Sequence, residues 1–196
     1  MMKVVFLVFP DMELLDFAGP YEVFSSANLC VDARAFDLLV LSADGGDIQT
    51  ANGVQIGAEG SWAESPDPDI LLIPGGDGAR MLLDESEAME MISGLVRRSE
   101  RVASICSGAR ILARLGLLDG REFTTHRSVA DAVGADTSGG KYRADLRYVD
   151  VGRVLTSAGV TAGIDLALHL VAQCLGLEEM EKVESYIEYK KKDGRA

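Results

Sequence analysis

Cysteine, histidine, basic charge and long apolar runs are all scarce in this chain, and each scarcity excludes something. The three cysteines, Cys30, Cys106 and Cys174, are widely spaced with no C-x-x-C pair. An odd, scattered set of this kind fits neither a disulfide framework nor a structural zinc site, so reduced thiols and no metal are expected. No apolar run approaches the ~20 residues that span a bilayer, and Met1-Met2-Lys3 leads into strand-like sequence without a signal-peptide pattern. A cytoplasmic protein with no membrane association is the expectation. Lys and Arg number 19 against 31 Asp and Glu, a formal net charge of −12. That excess repels a phosphate backbone and argues against nucleic acid as a partner. Nucleotide fingerprints are missing too: no lysine follows the glycine-rich loop Pro74-Gly75-Gly76-Asp77-Gly78-Ala79-Arg80, and G-x-G-x-x-G does not occur. No cofactor is expected.

With 47% hydrophobic residues over 196 positions, the chain can build one full-sized core. No repeat, linker or low-complexity segment divides it, so residues 1–196 read as a single domain. Lys3–Phe9, Ala35–Ser42 and Asp69–Ile73 are apolar runs of the kind buried on both faces of a parallel sheet. Pro10 ends the first, and a helix is expected to start near Pro20, a residue suited to a first helical turn. Alternation on either side of Asn52-Gly53 predicts a small hairpin within Gly45–Ile56. Glu85–Ser99 has an apolar helical stripe at Met89, Ile92, Leu95 and Val96. Further on, Glu122–His126 reads as a short strand, with a helix over Ser128–Val133. Asp145–Val149 and Arg153–Thr156 read as the last strands, and Ile164–Ala172 and Leu177–Lys192 as the last helices, the final one ending in Lys190-Lys191-Lys192. Strands alternating with helices indicate a doubly wound α/β domain, a mostly parallel sheet sandwiched by helices.

The stretch Val102–Ala113 organises the rest. A strand-like run ends abruptly at Cys106 and a helix-like run follows, with the small residues Ser104 and Gly108 two positions to either side. A sharp strand-to-helix turn needs such neighbours, so this is a nucleophile elbow with sulfur at its apex. A thiol at a helix N-terminus is expected to ionise more easily than a free one; the competing reading is a buried small hydrophobe. Asp16 is a carboxylate in an apolar stretch just past the first strand, where open α/β sheets bind ligands. A helix N-cap or turn aspartate is its other reading. The Pro74–Arg80 turn either offers open backbone N–H groups to an anion or polarised oxygen, or is an ordinary flexible connection. Ser157–Gly163 is a second small-residue loop leading into a helix. His126, at a strand end, is within reach of the sulfur or else structural, and His169 reads as helix packing.

Six motifs in order resemble the DJ-1/PfpI (ThiJ) superfamily: Phe9-Pro10 with Leu15-Asp16-Phe17-Ala18-Gly19-Pro20, Ile73-Pro74-Gly75-Gly76, Ile105-Cys106-Ser107-Gly108, Thr124-Thr125-His126 and Ala162-Gly163-Ile164-Asp165. The resemblance covers essentially the whole chain and implies a flavodoxin-like sandwich, a homodimer, and a small-molecule substrate or ligand. Within the superfamily, Leu-Asp-x-x-Gly-Pro, Cys-Ser-Gly and Ala-Gly-Ile-Asp are most similar to isocyanide hydratases and to the ligand-sensing domains of AraC-type regulators. Carried over, Cys106 is the nucleophile and Asp16 the carboxyl group hydrogen-bonded to it. Backbone N–H groups around Gly75, Gly76 and Ser107 cradle the incoming atom, and Thr161, Ala162 and His126 line the pocket. Protease-like and amidase-like members carry His directly after the cysteine, where this chain has Ser107. Glyoxalase-like members carry Glu where it has Asp16, and isocyanide hydratases usually carry Thr after the cysteine and have a longer C-terminal tail. No helix-turn-helix module follows Gly163, so a complete DNA-binding regulator is not expected. The implied activity is hydration of an isocyanide through a Cys106 thioimidate; a non-catalytic small-molecule or redox sensor is the alternative, with Cys106 open to oxidation.

Overall fold

Val4, Val5, Phe6 and Leu7 are all buried in the first strand, and their alternation feeds two separate cores. This is what a strand with helices over both faces requires. The computed structural model describes residues 1–31 and 34–189. Along the chain lie β1 (Met2–Leu7), α1 (Leu14–Cys30), β2 (Phe36–Ser42), β3 (Ile48–Gln49), β4 (Gln55–Ile56), β5 (Gly60–Ser61) and β6 (Ile70–Ile73). Then come α2 (Asp77–Met81), α3 (Ser86–Arg98), β7 (Arg101–Ser104), a 3₁₀ turn at Cys106–Gly108, α4 (Ala109–Arg114), β8 (Glu122–Phe123) and α5 (Ala130–Ala135). The chain continues through β9 (Lys141–Tyr142), β10 (Tyr148–Asp150), β11 (Val154–Ser157), α6 (Ala162–Leu175) and α7 (Leu177–Tyr186).

Seven strands form the main sheet in the order β10-β11-β7-β6-β1-β2-β5. All neighbours pair in parallel except β10 with β11. Val5 and Leu7 pack with Ile92 and Leu95 of α3 and Ile111 and Leu112 of α4. Val4 and Phe6 pack on the other face with Phe24 of α1, Leu166 and Leu170 of α6, and Val183 of α7. The expected flavodoxin-like sandwich is present. The hairpin is present as well: β3 and β4 are antiparallel, with Ile48 opposite Ile56 and Gly53 at a φ of 82° in the turn. No helix among the described residues is long and apolar enough to cross a membrane.

Several boundaries differ from the sequence expectation. The first helix begins at Leu14, and Pro20 lies inside it. Tertiary hydrogen bonds account for the early start: Leu14 N–H donates to Asn52 Oδ1 at 3.1 Å, and Glu13 N–H to the Gly75 carbonyl at 3.0 Å. These satisfy donors that a helix start otherwise leaves open. The strand expected over Glu122–His126 stops at Phe123, and its partner β9 carries no marked strand pattern. Helix α7 ends at Tyr186, and the Lys190-Lys191-Lys192 run lies outside the described residues. His169 is only half-buried; its Nε2 lies 2.7 Å from Asp150 Oδ2 and its ring packs on Tyr148 at 4.8 Å, so it joins a polar cluster at the rim of α6.

Candidate active site

Strands β1, β6, β7 and β11 are contiguous in the sheet, and the segment following each contributes to one site. This is the C-terminal edge, where parallel sheets leave their loops open to ligands. Cys106 follows β7 with a φ of 56°, in the left-handed region that non-glycine residues rarely occupy. Three contacts hold it there. Its N–H donates to the Ala158 carbonyl at 3.2 Å, its carbonyl accepts from Thr125 Oγ1 at 2.7 Å, and Ile105 N–H bonds to the Ile73 carbonyl at 3.0 Å. Backbone strain over-determined by its surroundings is a feature of reactive sites. Gly108 meets the requirement for a small neighbour, since a Cβ there would run into the carbonyls of Ile73 and Pro74.

Asp16 sits in the first turn of α1, 1% exposed, and is not the N-cap, a position held by Glu13. Its Oδ2 accepts from Gly75 N–H at 2.9 Å. Its Oδ1 is buried with no hydrogen-bond partner among the described residues, and the carboxyl lies close enough to the Cys106 thiol for each to shift the other's titration. Burial pushes Asp16 up from 3.8 to about 7; the Gly75 N–H opposes this, and the nearby Glu13 charge adds to it.

The thiol departs from the sequence expectation of easy ionisation. Cys106 is 7% exposed, and its pKa is pushed up from 9.0 to about 12, first by burial and then by the Asp16 charge. N–H groups of Val160 and Ser107 point at the sulfur and pull the other way, but do not overcome the desolvation. An elbow at a helix start therefore does not by itself make a thiolate; a low-dielectric seat beside a carboxylate reverses the sign. Cys106 and Asp16 form a coupled pair whose protons titrate together.

The backbone cradle is also corrected. The Gly75 N–H is taken by Asp16, and the Gly76 N–H donates to Ser107 Oγ at 2.9 Å, so neither is free for an incoming oxygen or carbon. These two donors hold the dyad's walls in place. The donors left are Ser107 N–H, directed here at the sulfur, and Val160 N–H, which the sequence reading did not single out. Val160 has a φ of 43° and lines the cleft. Thr161 and Ala162 do not: Thr161 is exposed and accepts from Arg147 at 3.1 Å, while Ala162 is buried at the start of α6. The left-handed turn at Val160 directs one N–H inward and the next side chain outward.

A Cβ on Gly75 would lie 2.6 Å from Ser107 N and Oγ and 2.9 Å from Asp16 Oδ2. Gly75→Ala is expected to destabilise the protein by about 1–3 kcal/mol by overpacking, measured by urea unfolding. An unchanged midpoint would mean that the loop shifts freely.

Cys106 opens onto a cleft of about 280 Å³. His126 is brought into its wall, half-buried, with the imidazole against Gly159. Its Nδ1 accepts from Ser128 N–H at 3.3 Å and lies 2.7 Å from Ser128 Oγ, which leaves the proton of the neutral ring on Nε2. The hairpin turn supplies Ala51 to the lining, and Glu13, Asp77, Arg80 and Arg110 are its charged members. Both arginines escaped the sequence reading, although each lies in the helix that follows a turn of the site, Arg80 after Gly76 and Arg110 after Cys106. No group of His, Cys, Asp and Glu among the described residues is arranged to hold a metal ion.

A family model described as the DJ-1/PfpI family matches residues 2–173. The isonitrile hydratase of Pseudomonas putida is 30% identical over 189 residues, which cover 96% of this chain and 78% of that protein. The HTH-type transcriptional regulator CdhR of Pseudomonas aeruginosa is 32% identical over 171 residues, 87% of this chain but only 50% of the regulator. The crystal structure of a ThiJ/PfpI family protein from Pseudomonas syringae superposes with a TM-score of 0.87 at 28% identity, covering 97% of this chain and 76% of that one.

Proposed function

Since the chain belongs to the DJ-1/PfpI family, we propose that it is a cysteine-dependent enzyme that hydrates an isocyanide, R–N≡C, to the N-substituted formamide R–NH–CHO. The observation that carries this reading is the buried Asp16–Cys106 pair, in which the carboxyl titrates at about 7 and the thiol is held protonated. The isocyanide carbon reacts as an electrophile only while it is being protonated, so the site must deliver a nucleophile and a proton together. A thiol beside a carboxylate of near-neutral pKa does both. The similarity to isonitrile hydratase over nearly the whole chain supports the choice of substrate.

Asp16, as carboxylate, takes the Cys106 proton as sulfur bonds to the terminal carbon. The resulting carboxylic acid returns that proton to the carbon, giving the thioimidate R–N=CH–S–Cys106. Water then adds to the same carbon; Asp16 removes a proton from the water and passes it to nitrogen, leaving R–NH–CH(OH)–S–Cys106. Collapse forms the C=O bond and breaks the C–S bond, and the hydroxyl proton goes through Asp16 to sulfur. The sum is one isocyanide and one water to one formamide, with the dyad restored. Ser107 and Val160 N–H groups stabilise negative charge on sulfur at attack and departure.

A small aliphatic isocyanide incubated with the purified protein should yield its formamide, with a transient adduct on Cys106 in the mass spectrum. Absence of formamide, with the compound bound and recovered intact, would overturn the reading in favour of ligand sensing, the role expected of a homologous segment in regulators. We also take the acting form to be a homodimer in the cytoplasm that uses no cofactor.

A further inference from the structure

The cleft over Cys106 carries charge that the hydration steps do not use. Arg80 and Arg110 line it, and they come from two helices that pack on each other, α2 and α4. Arg80 lies in the short helix that follows Gly76 and Arg110 in the helix that follows the Cys106 turn, and both side chains reach the lining of the cleft that Cys106 opens onto. Neither guanidinium has an ion-pair or hydrogen-bond partner among the described residues. Arg34, Arg98, Arg143 and Arg147 are matched to carboxylates, and Arg121 and Arg127, which likewise have no side-chain partner among the described residues, are exposed and do not line this cleft. Arg110 is half-buried, which strengthens its attraction for an anion relative to a fully solvated arginine.

Two carboxylates, Glu13 and Asp77, also line the cleft, but neither pairs with these arginines. Glu13 lies close enough to Asp16 to raise its pKa, and so stands at the reacting end. The Glu13 charge, and Asp16 when ionised, disfavour an anion at the dyad, whereas the two unpartnered guanidinium groups of the lining favour one elsewhere in the cleft. A substrate with an uncharged reactive head and an anionic tail matches these charges.

We propose that Arg80 and Arg110 recognise a carboxylate on the substrate, remote from the carbon that Cys106 attacks. The substrate class is then a small isocyano acid, and the product an N-formylamino acid. Guanidinium groups suit this role because their paired N–H donors match the two carboxylate oxygens. The identity of the reactive head rests on the hydration reading; recognition of the anionic tail does not.

The test uses two probes that separate these. N-iodoacetylglycine and its methyl ester alkylate Cys106 by the same displacement of iodide and differ in that only the first is an anion, with its carboxylate remote from the attacked carbon. The ratio of their rates at Cys106, mapped by peptide mass, should fall about tenfold or more when both arginines are replaced in R80Q/R110Q, each lost charged contact contributing up to that factor. The R80K/R110K variant keeps the charge and should recover part of the ratio. In parallel, kcat/KM is measured for an isocyano acid and its methyl ester, and the preference for the acid should collapse in R80Q/R110Q. An alkylation ratio that is the same in wild type and R80Q/R110Q overturns anion recognition, even if both isocyanides are hydrated. So does an equal loss of kcat/KM for acid and ester. A ratio that falls as expected while neither isocyanide is hydrated supports the arginine site and overturns the hydration reading instead.

Discussion

Asp16→Asn is expected to lower isocyanide hydration by about a thousandfold, within the usual range for loss of a positioned acid–base group, and at the same time to make Cys106 easier to alkylate. The two effects move in opposite directions for one reason. Asparagine can still accept the Gly75 N–H, so the loop keeps its anchor. It cannot take the thiol proton or return it to carbon, so the concerted addition fails. It also carries no charge, and the Asp16 charge is one of the causes that hold the Cys106 thiol near 12. With that charge gone, the thiolate fraction at neutral pH rises, and with it the rate of reaction with iodoacetamide. Turnover and alkylation measured on the same preparation decide the matter. A parallel fall in both would mean that the substitution has disturbed the elbow, and undiminished turnover would remove Asp16 from proton transfer. In the native protein kcat/KM should rise as pH passes through about 7, where Asp16 ionises. That limb should be missing from the residual activity of Asp16→Asn.

What the sequence made legible was local. The elbow could be read because a strand-like run, a cysteine, Gly108 and a helical run are consecutive, and the sheet could be read because its central strands are unbroken apolar runs. Asp16 was legible as a carboxylate out of place. What could not be read depended on partners distant in sequence. The first helix starts at Leu14 because Asn52 and Gly75, from two other segments, supply its hydrogen bonds. The N–H groups of Gly75 and Gly76 look open in a glycine-rich loop, yet Asp16 and Ser107 occupy them. The inward-facing residue of the Ser157–Gly163 loop is Val160 because its φ is positive, a conformation that a valine in sequence does not announce. The thiol shows the same limit in energetic form. Proximity to a helix start is local and favours ionisation; burial and a carboxylate are tertiary, and here they win.

The same Asp16→Asn substitution is expected to stabilise the folded protein above pH ~8 and to lose that advantage below pH ~4. In the unfolded chain the carboxyl titrates at 3.8, and in the folded protein at about 7. Below the lower value both states are protonated and the group costs nothing. Between the two values the folded state holds a proton that the unfolded state has released, so stability falls as pH rises. Above the higher value both are ionised, and the whole cost of a buried carboxylate is present, roughly 4 kcal/mol at most for a shift of this size. Urea midpoints of the native protein and Asp16→Asn, compared across this range, should diverge steadily with pH. Curves that stay parallel would mean that Asp16 is not desolvated in the folded state, and the near-neutral proton transfer assigned to it would lose its physical basis. A divergence would instead identify a carboxylate kept at the sheet edge against the interest of stability. Such a cost is tolerated where the group has chemistry to perform. In this chain, that group is one that faces the only strained, buried thiol in the described fold.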